Sequence, residues 1–348
     1  MILLKSVELA GTKFEIKEGF LDLGLLEIRD IEEIIGLSKI KGLKNLELSS
    51  NEIIVIRGLG ELTELEVLNL GSNKIINISG LENVANLETL HLISNRIREI
   101  KGLEKLSNLK ELYLRGNQIE EISGLETLTS IKRLDLSWNN ISKIKGLENL
   151  DELEVLWVAG NQLQKIENLE NQEKLEVLNI AGNQISSLNG IENLTNLKSL
   201  YINNNSIQNI DNLDKIQNLE TLWLNSNQIS KIKGLENCHS LKILNLKQNK
   251  IKIISGLYAL TNLENLFLSE NLISEIKGLE PLTNLETLDL GQNRIIHIRG
   301  MESLMKLKDL WLADNLIPEK ILIQLGGLDS GGCANDPLKF VQYCLVNL

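Results

Sequence analysis

The 348-residue sequence predicts an α/β solenoid: a parallel concave sheet with one short strand per 22-residue turn, and an irregular or 3-10 convex side. Three observations carry this. Asn recurs every 22 residues at Asn51, Asn73, Asn95, Asn117, Asn139, Asn161, Asn183, Asn205, Asn227, Asn249, Asn271, Asn293 and Asn315. Ahead of each Asn stand two aliphatic residues two apart, as in Leu46-Glu47-Leu48, which point to one side of a strand. Most units then carry Ile-x-x-Ile-x-Gly-Leu-Glu-x-Leu, as in Ile97 to Leu106. A unit this small cannot enclose a core alone, so its Leu and Ile are expected to be buried against the next unit. Stacking at roughly 4.8 Å per strand gives an elongated arc.

The elements follow in order. Residues 1–42 read as an N-terminal cap, with a hairpin from Val7-Glu8-Leu9 and Phe14-Glu15-Ile16 and then a degenerate first repeat. In that repeat Leu21-Asp22-Leu23 lies 25 residues before Leu46-Glu47-Leu48, so three residues are inserted near Glu32-Glu33-Ile34. Residues 43–328 hold thirteen repeats. The Asn column is read as structural, since an amide at the strand exit can satisfy backbone groups of two coils at once. The Gly of Gly-Leu-Glu suits a tight bend, and Asn replaces it at Asn168 and Asn212. Beyond Asn315, Pro318 to Leu325 predicts a short helix and Gly326 to Gly332 a flexible loop. Residues 329–348 form a C-terminal cap, in which Asp336-Pro337 opens a helix. Leu338, Val341 and Leu345 are expected to form the buried face of that helix.

Function is sought where the repeat leaves positions free. The position between the two core residues of each strand runs Glu47, Asn69, His91, Tyr113, Asp135, Trp157, Asn179, Tyr201, Trp223, Asn245, Phe267, Asp289, Trp311. Six of these thirteen are aromatic, half of the twelve Trp, Tyr and Phe in the chain. Trp138 lies at a neighbouring strand exit. The aliphatic core has no use for these rings, so they are expected to face a partner. The candidate contact set is Tyr113, Asp135, Trp138, Trp157, Tyr201, Trp223, Phe267, Asp289 and Trp311. This lane contains acids and no Lys or Arg, which favours a basic or mixed protein surface. Basic residues instead precede the Gly column (Arg57, Lys101, Lys145, Lys233, Lys277, Arg299), where they read as a solvated face.

Composition closes off other classes. With 36 basic and 47 acidic residues the net charge is −11, and the bases form no blocks, so no nucleic acid is expected. No apolar run suits a membrane helix, and no membrane partner is expected. Three Cys are not a disulfide framework, and with no secretory signal in the first residues a cytoplasmic protein is expected, or a nuclear one in a eukaryote. The three His are scattered over distant repeats, and Cys238 occupies a column filled elsewhere by Leu106, Leu128 and Leu150. No nucleophile–base pair, zinc spacing or phosphate loop occurs, so no enzyme and no cofactor is expected. Cys333 and Cys344 receive no role.

The repeat is identified as a leucine-rich repeat, and its Ile-x-x-Ile-x-Gly-Leu-Glu-x-Leu portion resembles that of the leucine-rich-repeat regulatory subunit of protein phosphatase 1. That resemblance implies a phosphatase catalytic subunit as partner, held by alternating acidic and aromatic residues of the concave lane. Asp135, Trp157, Asn179 and Tyr201 resemble this order, with Asn179 in place of an acid, and Asp289 with Trp311 resembles a later acid–Trp pair. The expectation is therefore a non-catalytic protein–protein interaction scaffold. A phosphatase regulator, an internalin-like surface adhesin with repeats of the same length, and self-association through the concave face stand as alternatives.

Overall fold

The computed structural model describes residues 5–346. It is a parallel-sheet solenoid of about thirteen turns, divided into two compact units. The first unit runs to Leu163 and includes Glu167–Leu175; the second comprises Gln164–Ile166 and Glu176–Leu348.

The first unit opens with the antiparallel hairpin β1 (Ser6–Leu9) and β2 (Thr12–Glu15). Seven parallel strands follow in chain order: β3 (Phe20–Asp22), β4 (Asn45–Glu47), β5 (Val67–Asn69), β6 (Thr89–His91), β7 (Glu111–Tyr113), β8 (Arg133–Asp135) and β9 (Val155–Trp157). Leu21 pairs with Leu46, so the degenerate first repeat joins the sheet despite its longer spacing. The extra residues are taken up by a 3-10 turn at Ile31–Glu33, capped by Asp30. In the second unit the parallel strands are β10 (Val177–Asn179), β11 (Ser199–Tyr201), β12 (Thr221–Trp223), β13 (Ile243–Asn245), β14 (Asn265–Phe267), β15 (Thr287–Asp289) and β16 (Asp309–Trp311). The strands are three residues long because each coil must turn inward at once. The middle Leu of every one of these fourteen strands is buried.

The Asn column makes that turn possible. Asn139 Nδ2 donates to the carbonyls of Leu136 in its own coil and Leu114 in the preceding one, both at 3.0 Å, while its Oδ1 accepts the Ile119 N–H at 2.9 Å. Asn73 and Asn95 in the first unit, and Asn249 and Asn293 in the second, repeat this three-way arrangement. The Gly column has an equally local cause. At Gly124 φ is +71°, and a Cβ there would lie 2.1 Å from the carbonyl oxygen of Ile100. Asn168 occupies the same column at φ +58° and turns the close approach into a hydrogen bond, its Nδ2 donating to the Ile144 carbonyl at 2.6 Å.

Two features escaped sequence analysis. Opposite charges 22 residues apart pair along the residues preceding the strands: Lys44 with Glu66, Glu88 with Lys110 and Lys132 with Glu154 in the first unit, then Glu176 with Lys198, Glu220 with Lys242 and Glu286 with Lys308 in the second. Such exposed pairs are weak and screened by salt. A second, partial Asn column (Asn86, Asn108, Asn218, Asn262, Asn284) donates to carbonyls 23 residues back. Both were visible as 22-residue periodicities outside the main signature.

The C-terminal cap departs from expectation twice. The helices α1 (Glu319–Gln324) and α2 (Pro337–Val346) form where predicted, but α2 buries Phe340, Val341 and Cys344, leaving Leu338 and Leu345 exposed. The helix is rotated so that the Phe340 ring is fully buried beneath it, which aliphatic spacing alone does not foretell. The Gly326 to Gly332 segment and its continuation are not a free loop. Asp329 Oδ1 accepts the N–H groups of Gly331 and Cys333, both at 2.9 Å, and Leu328 bridges Ala334. Leu312 N–H donates to Gly332 at 3.1 Å, and Ala334 N–H to Leu310 at 2.7 Å, so the segment covers the open edge of β16.

Candidate functional site

On the side of each sheet away from the core, the lane residues divide by chemistry. The polar members close the strand exit. Asn69 Oδ1 accepts the N–H of Gly71 at 3.0 Å, Asp135 that of Ser137 at 2.9 Å, and Glu47 Oε1 that of Ser49 at 2.7 Å. In the second unit Asn179, Asn245 and Asp289 do the same for Ala181, Lys247 and Gly291 at 3.0–3.1 Å. An oxygen acceptor two residues before a turning N–H is an ordinary Asx arrangement. The aromatic members offer no such acceptor, so the fold gains no turn bond from them.

In the first unit, Tyr113 and Trp157 are half-buried, and Asp135 between them is only 9% exposed. Asp135 therefore presents little surface, and its carboxylate serves the turn. His91 stacks flat on Tyr113, with centroids 4.6 Å apart. Burial lowers the His91 pKa, against the opposing pull of Glu111 and Glu47. The Tyr113 hydroxyl donates to Glu111 at 3.0 Å, and burial followed by that carboxylate pushes its pKa to about 12. Arg133 closes the cluster on Glu111 at 2.6 Å.

Trp138 stands apart. It is 61% exposed with φ +58°, the left-handed region. Its column holds Ser50, Ser72, Ser94, Gly116, Gly160 and other small or polar residues, all at positive φ. The indole lies over Gly160, where an added Cβ would come within 2.9 Å of ring carbon Cδ2. One face thus rests on the chain, and much of the ring meets solvent.

In the second unit, Tyr201 meets Trp223 edge-on at 5.5 Å, and Trp223 is 38% exposed. Phe267 and Trp311 are half-buried. Asp289 lies opposite both Phe267 and Trp311 in register. Its Oδ2 also accepts the buried Ser269 hydroxyl at 2.5 Å.

Among the described residues no group of three or more His, Cys, Asp or Glu could hold a metal ion, and no helix is long and apolar enough to cross a membrane. Burial pushes the Cys238 thiol up to about 12 and that of Cys344 up to about 11, far from the reactive thiolate range.

Comparison with known proteins gives a consistent result. The family described as leucine-rich repeats (two copies) matches residues 41–83, 85–127, 129–171, 173–215, 217–259 and 261–297. No curated protein matches the chain. Among solved structures, an internalin from Listeria monocytogenes is 32% identical with a TM-score of 0.78, over 85% of this chain and 87% of that one. A leucine-rich-repeat protein of Leptospira interrogans is 25% identical with a TM-score of 0.69, over 88% and 92%. The leucine-rich-repeat ectodomain of a membrane receptor kinase of Arabidopsis thaliana, in complex with Casparian strip integrity factor 2, is 26% identical with a TM-score of 0.66. That match covers 84% of this chain and 38% of the receptor.

Proposed function

This chain is a member of the leucine-rich-repeat family, and from that premise we propose that it is a non-catalytic scaffold whose solvent-facing lane captures a protein partner. One observation carries the reading. Trp138 occupies a left-handed backbone position that its column otherwise gives to small or polar residues, and it remains largely exposed. A bulky L-residue there costs on the order of 1–2 kcal/mol, which the resting contact on Gly160 offsets only in part. A binding role accounts for a Trp in that place, since exposed Trp is favoured as an interface anchor. Trp157 supplies a second ring on the same unit.

The test is affinity capture with the immobilised protein, comparing the natural sequence with a Trp138→Asn, Trp157→Asn double variant. Asn already serves in both columns, at Asn204 and Asn179, so the fold is retained. Proteins held by the natural chain and lost from the variant support the reading; an unchanged set refutes it.

The nature of the partner follows less directly. A phosphatase catalytic subunit is favoured only by the order of lane residues, and the turn bond of Asp135 explains part of that order without any partner. The 32% identity to an internalin favours the adhesin alternative and a surface location. An antibody against the repeats that labels intact cells of the source organism would support it. Labelling only after lysis would return the protein to the cytoplasm.

A further inference from the structure

In the second unit, Asp289, Trp311, Glu270 and Asp314 line a pocket of about 220 Å³ beside Lys247 and Ser269. The volume suits one side-chain head group. Lys247 is tied to Glu270 at 3.0 Å, so the formal charge left on this wall is −2, from Asp289 and Asp314. The fold does not require the charge of Asp289. Its turn bond to Gly291 needs one oxygen, which Asn69, Asn179 and Asn245 supply without charge at the equivalent positions. The fold draws no turn bond from the indole of Trp311 either. Parallel register sets the two residues opposite each other, roughly 4.8 Å apart along the sheet.

A carboxylate beside an indole is a receptor for a flat or compact cation. Ser269 and Gly291 each give the carboxylate one hydrogen bond, one per oxygen, which fixes its orientation and leaves further lone pairs for a donor from outside. A guanidinium can donate to those oxygens while lying against the ring, gaining a charge-assisted hydrogen bond and a cation–π contact together. We propose that the Asp289–Trp311 pocket takes an arginine side chain of the protein partner. This rests on the reading of the lane as a protein-binding surface and names the chemistry of one of its contacts.

The test uses N-acetyl-arginine methylamide, with its uncharged isostere N-acetyl-citrulline methylamide, against the full chain. The four Trp indole N–H signals are followed by NMR, with that of Trp311 assigned from its absence in Trp311→Phe. The arginine compound should move the Trp311 signal saturably and leave that of Trp157 in place. Citrulline should bind about tenfold more weakly, and Asp289→Asn should weaken the arginine compound by about the same factor. Asp289→Asn should melt with the natural protein, since Asn fills three sister positions, and the melt is run beside the titration. Equal binding of citrulline, an unmoved Trp311 signal at saturating concentration, or an unaltered titration in the folded Asp289→Asn variant would each overturn the proposal. Capture through Trp138 and Trp157 is read on different residues, so either result can fail without the other.

Discussion

The Asn column and the lane beside it share one period and differ in tolerance. At the thirteen column positions Asn never varies. At the lane position, four residues earlier, the chain uses Glu, Asn, His, Tyr, Asp, Trp and Phe. The column amide satisfies two carbonyls and one N–H in three stretches of buried backbone, as at Asn139, and only Asn has the donors, acceptor and reach for that. The side chain at the lane position bonds at most one backbone group among those described, an N–H two residues on, as at Asn69. Where the structural demand is slight, other demands can select the residue. Variation within a strict repeat is therefore the place to look for function.

The contrast can be broken most severely in the column. Asn139→Ala orphans the groups of Leu114, Leu136 and Ile119 and should cost about 3 kcal/mol, read by urea denaturation. A loss below about 1 kcal/mol would mean that water replaces the amide. Gly124→Ala should cost about 2 kcal/mol or more, because the new Cβ meets the Ile100 carbonyl at positive φ. Gly124→Asn should cost less than Gly124→Ala, since Asn168 shows the amide bonding the equivalent carbonyl.

The lane side should respond in the opposite sense. Trp138→Asn should raise stability by up to about 1 kcal/mol while reducing partner capture, a combination that no structural role for the indole would give. The smallest effect concerns His91. Burial lowers its folded pKa below the ordinary value of 6.5, so the unfolded chain binds more protons just below that pH. Stability should thus be full above about pH 7 and fall modestly as pH drops through 6.5 toward the folded value. His91→Asn should remove that part of the pH dependence in thermal melts taken from pH 7.5 to pH 5.

Much of this was legible in advance. The strand positions, the buried Leu and Ile, the N-terminal hairpin and the shifted first repeat all follow from side-chain periodicity and turn chemistry, which are local. The candidate contact residues could be named because they stood out against a fixed repeat. Their individual standing could not. Asp135 and Asp289 are both acids of one lane, yet Asp135 is 9% exposed while Asp289 lines a pocket with Trp311. The strain at Trp138 was equally hidden, because a sequence does not display φ.

The 22-residue period by itself determined the solenoid, since a unit too small to enclose a core must bury its aliphatic residues against its neighbours. Only the tertiary structure decided how the repeat is closed and what it exposes. It set the rotation of α2 onto Phe340, the segment laid along the β16 edge, and the placement of one carboxylate beside one indole. These depend on the volume and the unpaired groups left where the repeat ends or varies, quantities that exist only once the coils are stacked.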